Sequence, residues 1–154
     1  GLEAANYIEH YGLVRVPTEP MQVRHAWNSN VTATYYLTVA ISRHSHHHAD
    51  ASTEFWELKA FRDEAPTTLY GYGVSVLIAL IPPLWNELMA QKLLYWDNNM
   101  ATPAERRLAM AENLESGIPD LVEAAKRYYA TEGKPQPESP AITPDNGTGR
   151  LATA

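Results

Sequence analysis

The 154-residue chain has no cysteine. Disulfides, iron–sulfur ligation, thiolate-held zinc and thiol nucleophiles are thereby excluded, and any metal must be held by nitrogen or oxygen. Positive charge is scarce as well. Twelve Lys and Arg against 18 Asp and Glu leave a formal charge of −6, and no basic stripe is present, which argues against a nucleic-acid partner. No apolar run approaches the roughly 20 residues that a spanning helix needs; the most apolar one, Val74 to Ile81, stops at Pro82-Pro83. No signal peptide opens the sequence. It starts with Gly1, and its first residues already read as the middle of an element, so a C-terminal piece of a larger protein is expected. The length suits one domain with a tail.

Against these absences stands one local excess, the run Arg43-His44-Ser45-His46-His47-His48. A histidine tract can be a solvated patch or a tag. Here it is interrupted by Ser45, lies mid-chain and follows a stretch that reads as a helix. On a helix each residue turns about 100°, so His44, His47 and His48, at i, i+3 and i+4, share a face while His46 points away. Leu37, Ala40, Ile41, His44 and His48 would then form one stripe, placing the imidazoles toward the core. Buried ring nitrogens need partners, and a metal satisfies several at once. The donor types suit iron, zinc, copper or nickel.

The rest of the pattern is mainly helical. Leu2 to His10 reads as a helix ending at Tyr11-Gly12, and Val16 to Val23, with Pro17 and Pro20, as an extended loop. Asn28, Ser29 and Asn30 offer N-caps for a helix over about Val31 to His48, although its β-branched and aromatic residues have poor helix propensity. Ser52 to Phe61 has helical spacing. Leu69 to Trp85 reads as a buried core helix, the alternative being a helix lying at a membrane surface with Tyr70, Tyr72 and Trp85 as interfacial aromatics. Thr102-Pro103-Ala104-Glu105 combines a capping box with proline at the first helical position. It opens a helix to about Ser116, followed by another from about Pro119 to Ala130 that ends near Gly133, with Arg106, Arg107, Glu112 and Glu115 as a solvated face. From Lys134, four prolines and small polar residues predict a disordered tail.

Several motifs occur in a fixed order: Asn-Tyr-x-Glu-His-Tyr-Gly-Leu at 6–13, His-x-Trp-Asn-Ser at 25–29, Arg-His-Ser-x-His-His-Ala at 43–49, Glu64-Ala65-Pro66, Gly71-Tyr72, and Leu80-Ile81-Pro82-Pro83-Leu84-Trp85. Together they resemble the C-terminal third of the membrane-bound alkane 1-monooxygenases. The resemblance runs from about Asn6 to Trp85, and none is seen beyond Asn99. It implies three parts: 1–99 as the C-terminal portion of a histidine-box di-iron oxygenase, 100–133 as a helical extension, and 134–154 as the tail. It also implies terminal hydroxylation of medium- or long-chain n-alkanes with O₂. Electrons would come from rubredoxin, supplied in turn by rubredoxin reductase. The parent protein would sit in the inner membrane with its site toward the cytoplasm.

Carried over residue by residue, the resemblance makes His10, His44, His47 and His48 ligands to two non-haem irons, with further ligands expected from outside this chain. His25 would be an anchor rather than a ligand. Trp27, Asn28 and Ser29 would fix the start of the ligand helix, and Glu9 would either orient a ligand histidine or form a surface ion pair. This sequence departs from the pattern at His46, where aspartate is common, at Asp50, where asparagine is usual, and at Ala26, in place of a serine. Four histidines are too few for a histidine-only di-iron centre, so the chain alone is expected to hold iron poorly and to be inactive. Two other readings stay open: a related histidine-box oxygenase or desaturase (xylene-type or fatty-acid), and a small non-enzymatic zinc module.

Overall fold

The computed structural model describes residues 2–132, so the sequence-predicted tail and the helix end near Gly133 lie outside the described residues. Seven helices occur among them: α1 (Leu2–His10), α2 (Thr32–Leu37), α3 (His44–Ala49), α4 (Tyr72–Ala79), α5 (Pro82–Asn99), α6 (Pro103–Glu115) and α7 (Pro119–Glu132). No strand is present among the described residues; one isolated parallel bridge pairs Asn28 with Thr67. The mainly helical class expected from the sequence is what is found.

The end of α1 is set by Gly12, which takes φ +68, a left-handed value that stops a helix at little cost for glycine. A Cβ there would come within 2.6 Å of the Leu93 side chain, so the position also lets Leu93 of α5 pack directly against the turn that follows α1. α5 is the central strut. Its Trp85, Met89, Leu93 and Trp96 recur on one face and are essentially fully buried, packing with Ile8, Tyr11, Leu13, Val14 and Trp27. Pro82 and Pro83 occupy its first turn, where a missing N–H costs nothing. They begin a new helix inside the stretch 69–85 that the sequence had suggested as a single one, which is split into α4 and the start of α5. The Thr102–Glu105 capping box forms as expected. α6 and α7 then fold as a hairpin through Gly117 (φ +70) and bury Ala109, Leu121 and Ala125.

Three expectations fail. The single helix over 31–48 is broken into α2, a 3-10 turn at Ile41–Arg43, and α3. Val39 and Ala40 have positive φ at the break, and Val31, not Asn28 to Asn30, is the N-cap residue of α2. The β-branched and aromatic residues of this stretch supply too little helix propensity to carry the chain through without tertiary support. The proposed stripe goes with the helix, since Leu37 is 84% exposed. Ser52 to Phe61 yields only a 3-10 turn at Phe55–Glu57. α4 buries only Tyr72 and Ser75 fully and leaves Val74 and Leu77 exposed, so it is not a core helix. No helix among the described residues is long and apolar enough to cross a membrane.

Candidate metal centre

The segment His25-Ala26-Trp27-Asn28-Ser29 is threaded between α1 and α3, and all five residues are buried. Toward α1, the Trp27 N–H donates to the Glu9 carbonyl (2.7 Å) and its indole Nε1 donates to the Tyr11 carbonyl (2.7 Å). Toward α3, the Ser45 hydroxyl donates to the Ala26 carbonyl (2.6 Å), and the Ser45 N–H donates to Asn28 Oδ1 (3.0 Å). The Ser29 N–H donates to the Ser42 carbonyl (2.9 Å), and Asn28 Nδ2 reaches the Ala60 carbonyl (2.9 Å). These bonds set the offset between two helices that share no regular ladder. Ser45, in the middle of the histidine run, is fully buried for this reason. The sequence expectation placed Trp27, Asn28 and Ser29 at the start of the ligand helix. They do grip the segment leading into α3, but through side-chain and loop contacts rather than as caps.

The result is a triangle of imidazole nitrogens. His44 Nε2 and His48 Nε2 are 2.7 Å apart and lie 3.2 and 3.1 Å from His10 Nε2. His10, His44 and His48 are each partly buried and meet the geometric requirement for holding one ion. Adjacent ligands on an ion bonded at about 2.0–2.1 Å are separated by ~3 Å, which these spacings match. His10 Nδ1 lies 3.4 Å from the His25 carbonyl oxygen, long for a hydrogen bond. A carbonyl only accepts, so Nδ1 carries the hydrogen and the Nε2 lone pair faces the triangle. Neutral imidazoles aimed at one another in this way repel unless a cation or a shared proton sits between them. The residues therefore fit a metal.

The other sequence-identified residues fall elsewhere. His47 is exposed, and its ring centroid lies 6.1 Å from those of both His44 and His48. It is not among the three nitrogens that converge. His46 points the other way, accepting the Lys59 N–H on Nδ1 (2.9 Å) with its ring against Phe61. Asp50 is exposed and accepts from Ser52 and Thr53. Glu9 is only 3% exposed, and its Oε2 lies 3.3 Å from His44 Nε2. It thus faces the converging nitrogen of that ring rather than orienting it from behind. His25 is no ligand: Nδ1 accepts the Gln22 N–H (3.0 Å), and Nε2 donates to Glu105 Oε1 (2.6 Å). Glu105 was read from sequence only as a capping-box member. Its full burial and its ionic partners carried no local signal, because they come from residues about 80 positions away.

Burial holds the His44 imidazole down at about 3, and the neighbouring His48, His10 and His47 add to the effect. Burial likewise lowers His48 to about 4, helped by His10 and His47, and lowers His10, against the opposing bond to His25. These rings are neutral at pH 7, with lone pairs free for a metal. Burial pushes the Glu9 carboxyl up to about 7, with the Tyr72 hydroxyl opposing. The signs are opposite. The unfolded chain protonates its histidines near 6.5 while the folded triangle resists, so this stability is complete above 6.5 and is lost as pH falls toward 4 and 3. Glu9 contributes below its unfolded value near 4.5, and that contribution is lost as pH rises through 7. Three imidazoles outweigh one carboxyl. The metal-free chain is therefore expected to melt at progressively lower temperature between pH 6.5 and 4.5, by circular dichroism. A melting temperature that is flat or rises over that interval would show that the triangle does not stay neutral.

Comparison with known proteins agrees with this construction. Residues 1–78 match the fatty acid desaturase family model. The xylene/toluene monooxygenase hydroxylase component of Pseudomonas putida is 45% identical over 119 residues, which is 77% of this chain and 32% of that protein. Alkane 1-monooxygenase 1 of Pseudomonas aeruginosa is 40% identical over 97 residues (60% of this chain, 25% of that protein). Alkane 1-monooxygenase of Acinetobacter baylyi is 41% identical over 96 residues (59% and 23%). The chain thus spans a third or less of the length of these relatives. A match covering 119 of 154 residues cannot avoid 36–119, so the first of these likenesses extends into α6, past the limit at Asn99 expected from the motifs. With the family model covering both α1 and α3, the helices that bring His10, His44 and His48 together, the chain belongs to the fatty acid desaturase family.

Proposed function

We propose that this chain carries part of the iron centre of a membrane monooxygenase that hydroxylates the methyl group of a hydrocarbon. The observation that supports it is the triangle of His10, His44 and His48 nitrogens, built by the segment that carries the family's likeness. His10, His44 and His48 hold one iron. His47, on the same short helix but turned out of the triangle, is offered to a second iron whose other ligands lie outside this chain. Iron bound there supplies O₂ activation. The chain's own residues fix ligand direction: the Trp27 and Asn28 segment sets the offset of α1 against α3, and the His25 carbonyl keeps the His10 hydrogen on Nδ1. Glu9, buried beside His44, places a carboxyl next to the cation's seat and holds or yields a proton there near neutral pH.

The motifs point to n-alkanes as substrate, with rubredoxin as electron donor and the complete protein in the inner membrane. The longer and closer likeness to the xylene/toluene enzyme favours a methylarene, and we rank that reading first. Membrane fractions containing the complete protein, given O₂ and an electron supply, are expected to convert xylene to methylbenzyl alcohol faster than octane to 1-octanol. A reversed ratio restores the alkane reading. Neither alcohol, from a protein that retains iron, overturns hydrocarbon hydroxylation.

A further inference from the structure

α6 lies wholly beyond residues 1–78, yet it delivers one side chain into the segment that builds the metal centre. Glu105 is fully buried, and each of its oxygens is engaged. Oε1 receives Arg24 Nη2 (2.9 Å) and His25 Nε2 (2.6 Å), while Oε2 receives Arg24 Nε (3.0 Å) and the Thr102 N–H (2.8 Å). The guanidinium is thus bound in the bidentate manner that fixes orientation as well as distance. Burial alone would raise this carboxyl; Arg24, the Thr102 N–H and His25 reverse that and hold it at about 2. The same loop is gripped again from α5, where Trp96 Nε1 donates to the Arg24 carbonyl (2.7 Å). With its ring tied at Nδ1 by Gln22 and at Nε2 by Glu105, His25 has no freedom to turn. Its carbonyl is the group facing His10 Nδ1.

We propose that Glu105 is a positioning residue for the metal centre: by clamping Arg24 and His25 it holds the His25 carbonyl against His10 Nδ1 and so directs the His10 Nε2 lone pair into the triangle. The proposal rests on the metal-site reading above and deepens it. A helix beyond the residues that the family model matches, though within the likeness to the xylene/toluene enzyme, becomes part of the construction of the site. Removing a group that orients a ligand histidine typically costs about 10–100-fold in metal affinity.

The test uses the full chain with and without Co²⁺. In metal-free wild type, long-range ¹H–¹⁵N spectra are expected to show His10 as the Nδ1–H tautomer. Glu105→Gln keeps the volume but loses the charge that fixes Arg24, and is expected to move His10 toward the Nε2–H tautomer and to weaken Co²⁺ binding by about tenfold. Leu121→Ala, in the α7 core away from the loop, is expected to lower the melting temperature while leaving the His10 tautomer and Co²⁺ affinity as in wild type. An unchanged tautomer in Glu105→Gln overturns the proposal. Should that variant not fold, His25→Gln, which keeps the carbonyl but loses the ring that reaches Glu105, is read in the same way. Failure of wild type to bind Co²⁺ at all sinks the metal-site reading, and the tautomer then still decides the role of Glu105.

Discussion

Replacing His44 by alanine is expected to weaken Co²⁺ binding by the chain by more than about a hundredfold, whereas replacing His47 leaves it within about twofold. The difference follows from where the two rings sit on one short helix. His44 Nε2 is a corner of the triangle, 2.7 Å from His48 Nε2 and 3.2 Å from His10 Nε2, while the exposed His47 ring stands 6.1 Å from both helix neighbours. Taking away one corner leaves two imidazoles, too few to hold an ion tightly in competition with water. Taking away His47 removes nothing the first ion touches. In the complete enzyme the two substitutions should converge, because each iron then loses a ligand and hydroxylation should fall below detection in both. Isothermal titration of the chain and product formation by the complete enzyme therefore give different patterns. Equal losses of Co²⁺ affinity would place all four histidines on one ion. No loss in either variant would remove the triangle as a metal site.

What the sequence disclosed of this site was the donor chemistry and its helical spacing. The i, i+4 pair His44 and His48 holds on α3, and His10, 34 positions before His44, arrives beside it. What could not be read locally was direction. His47, at i+3, lies a turn away from His44 just as His48 does, and only the angle at which α1 approaches decides which of the two joins His10. That angle is set by the 25–29 segment through bonds to Glu9, Tyr11, Ser42 and Ser45, all of them non-local. The same physics explains the failures in the fold. A stretch rich in Thr, Tyr and Val has too little helix propensity to outlast a break at Val39 and Ala40, and its apparent stripe dissolves with it. Where local chemistry is decisive, the expectation holds: Gly12 ends α1, and Thr102 with Glu105 starts α6. Glu105 shows the limit of such signals. One carboxylate serves both as the capping partner of Thr102 and as the clamp on Arg24 and His25, and only the first role has a sequence signature.

Trp27→Ala is expected to destabilise the chain by about 3–5 kcal/mol, the usual cost of deleting a fully buried indole. Trp27 is 1% exposed in a core shared with Ile8, Tyr11, Tyr72 and Trp85. Its loss opens a cavity at the junction of α1, α4 and α5, and it removes the bond from Nε1–H to the Tyr11 carbonyl. The backbone bond from Trp27 N–H to the Glu9 carbonyl survives in principle. Without the indole filling the space behind it, the 25–29 segment has little to hold it between the two helices. Against a total stability of about 5–15 kcal/mol for a typical domain, the loss lowers the melting temperature by roughly 10 °C or more. Trp27→Phe separates the two contributions. It keeps most of the packing and loses the hydrogen bond, so a smaller cost of about 0.5–1.5 kcal/mol is expected for the lost bond. Metal binding supplies the decisive comparison. If the segment sets the offset of α1 against α3, the alanine variant should lose Co²⁺ affinity even at temperatures where it remains folded, and the phenylalanine variant should lose much less. A folded alanine variant that binds Co²⁺ as tightly as wild type would mean that His10 reaches His44 and His48 without this segment, and the account of how the triangle is built would have to be abandoned.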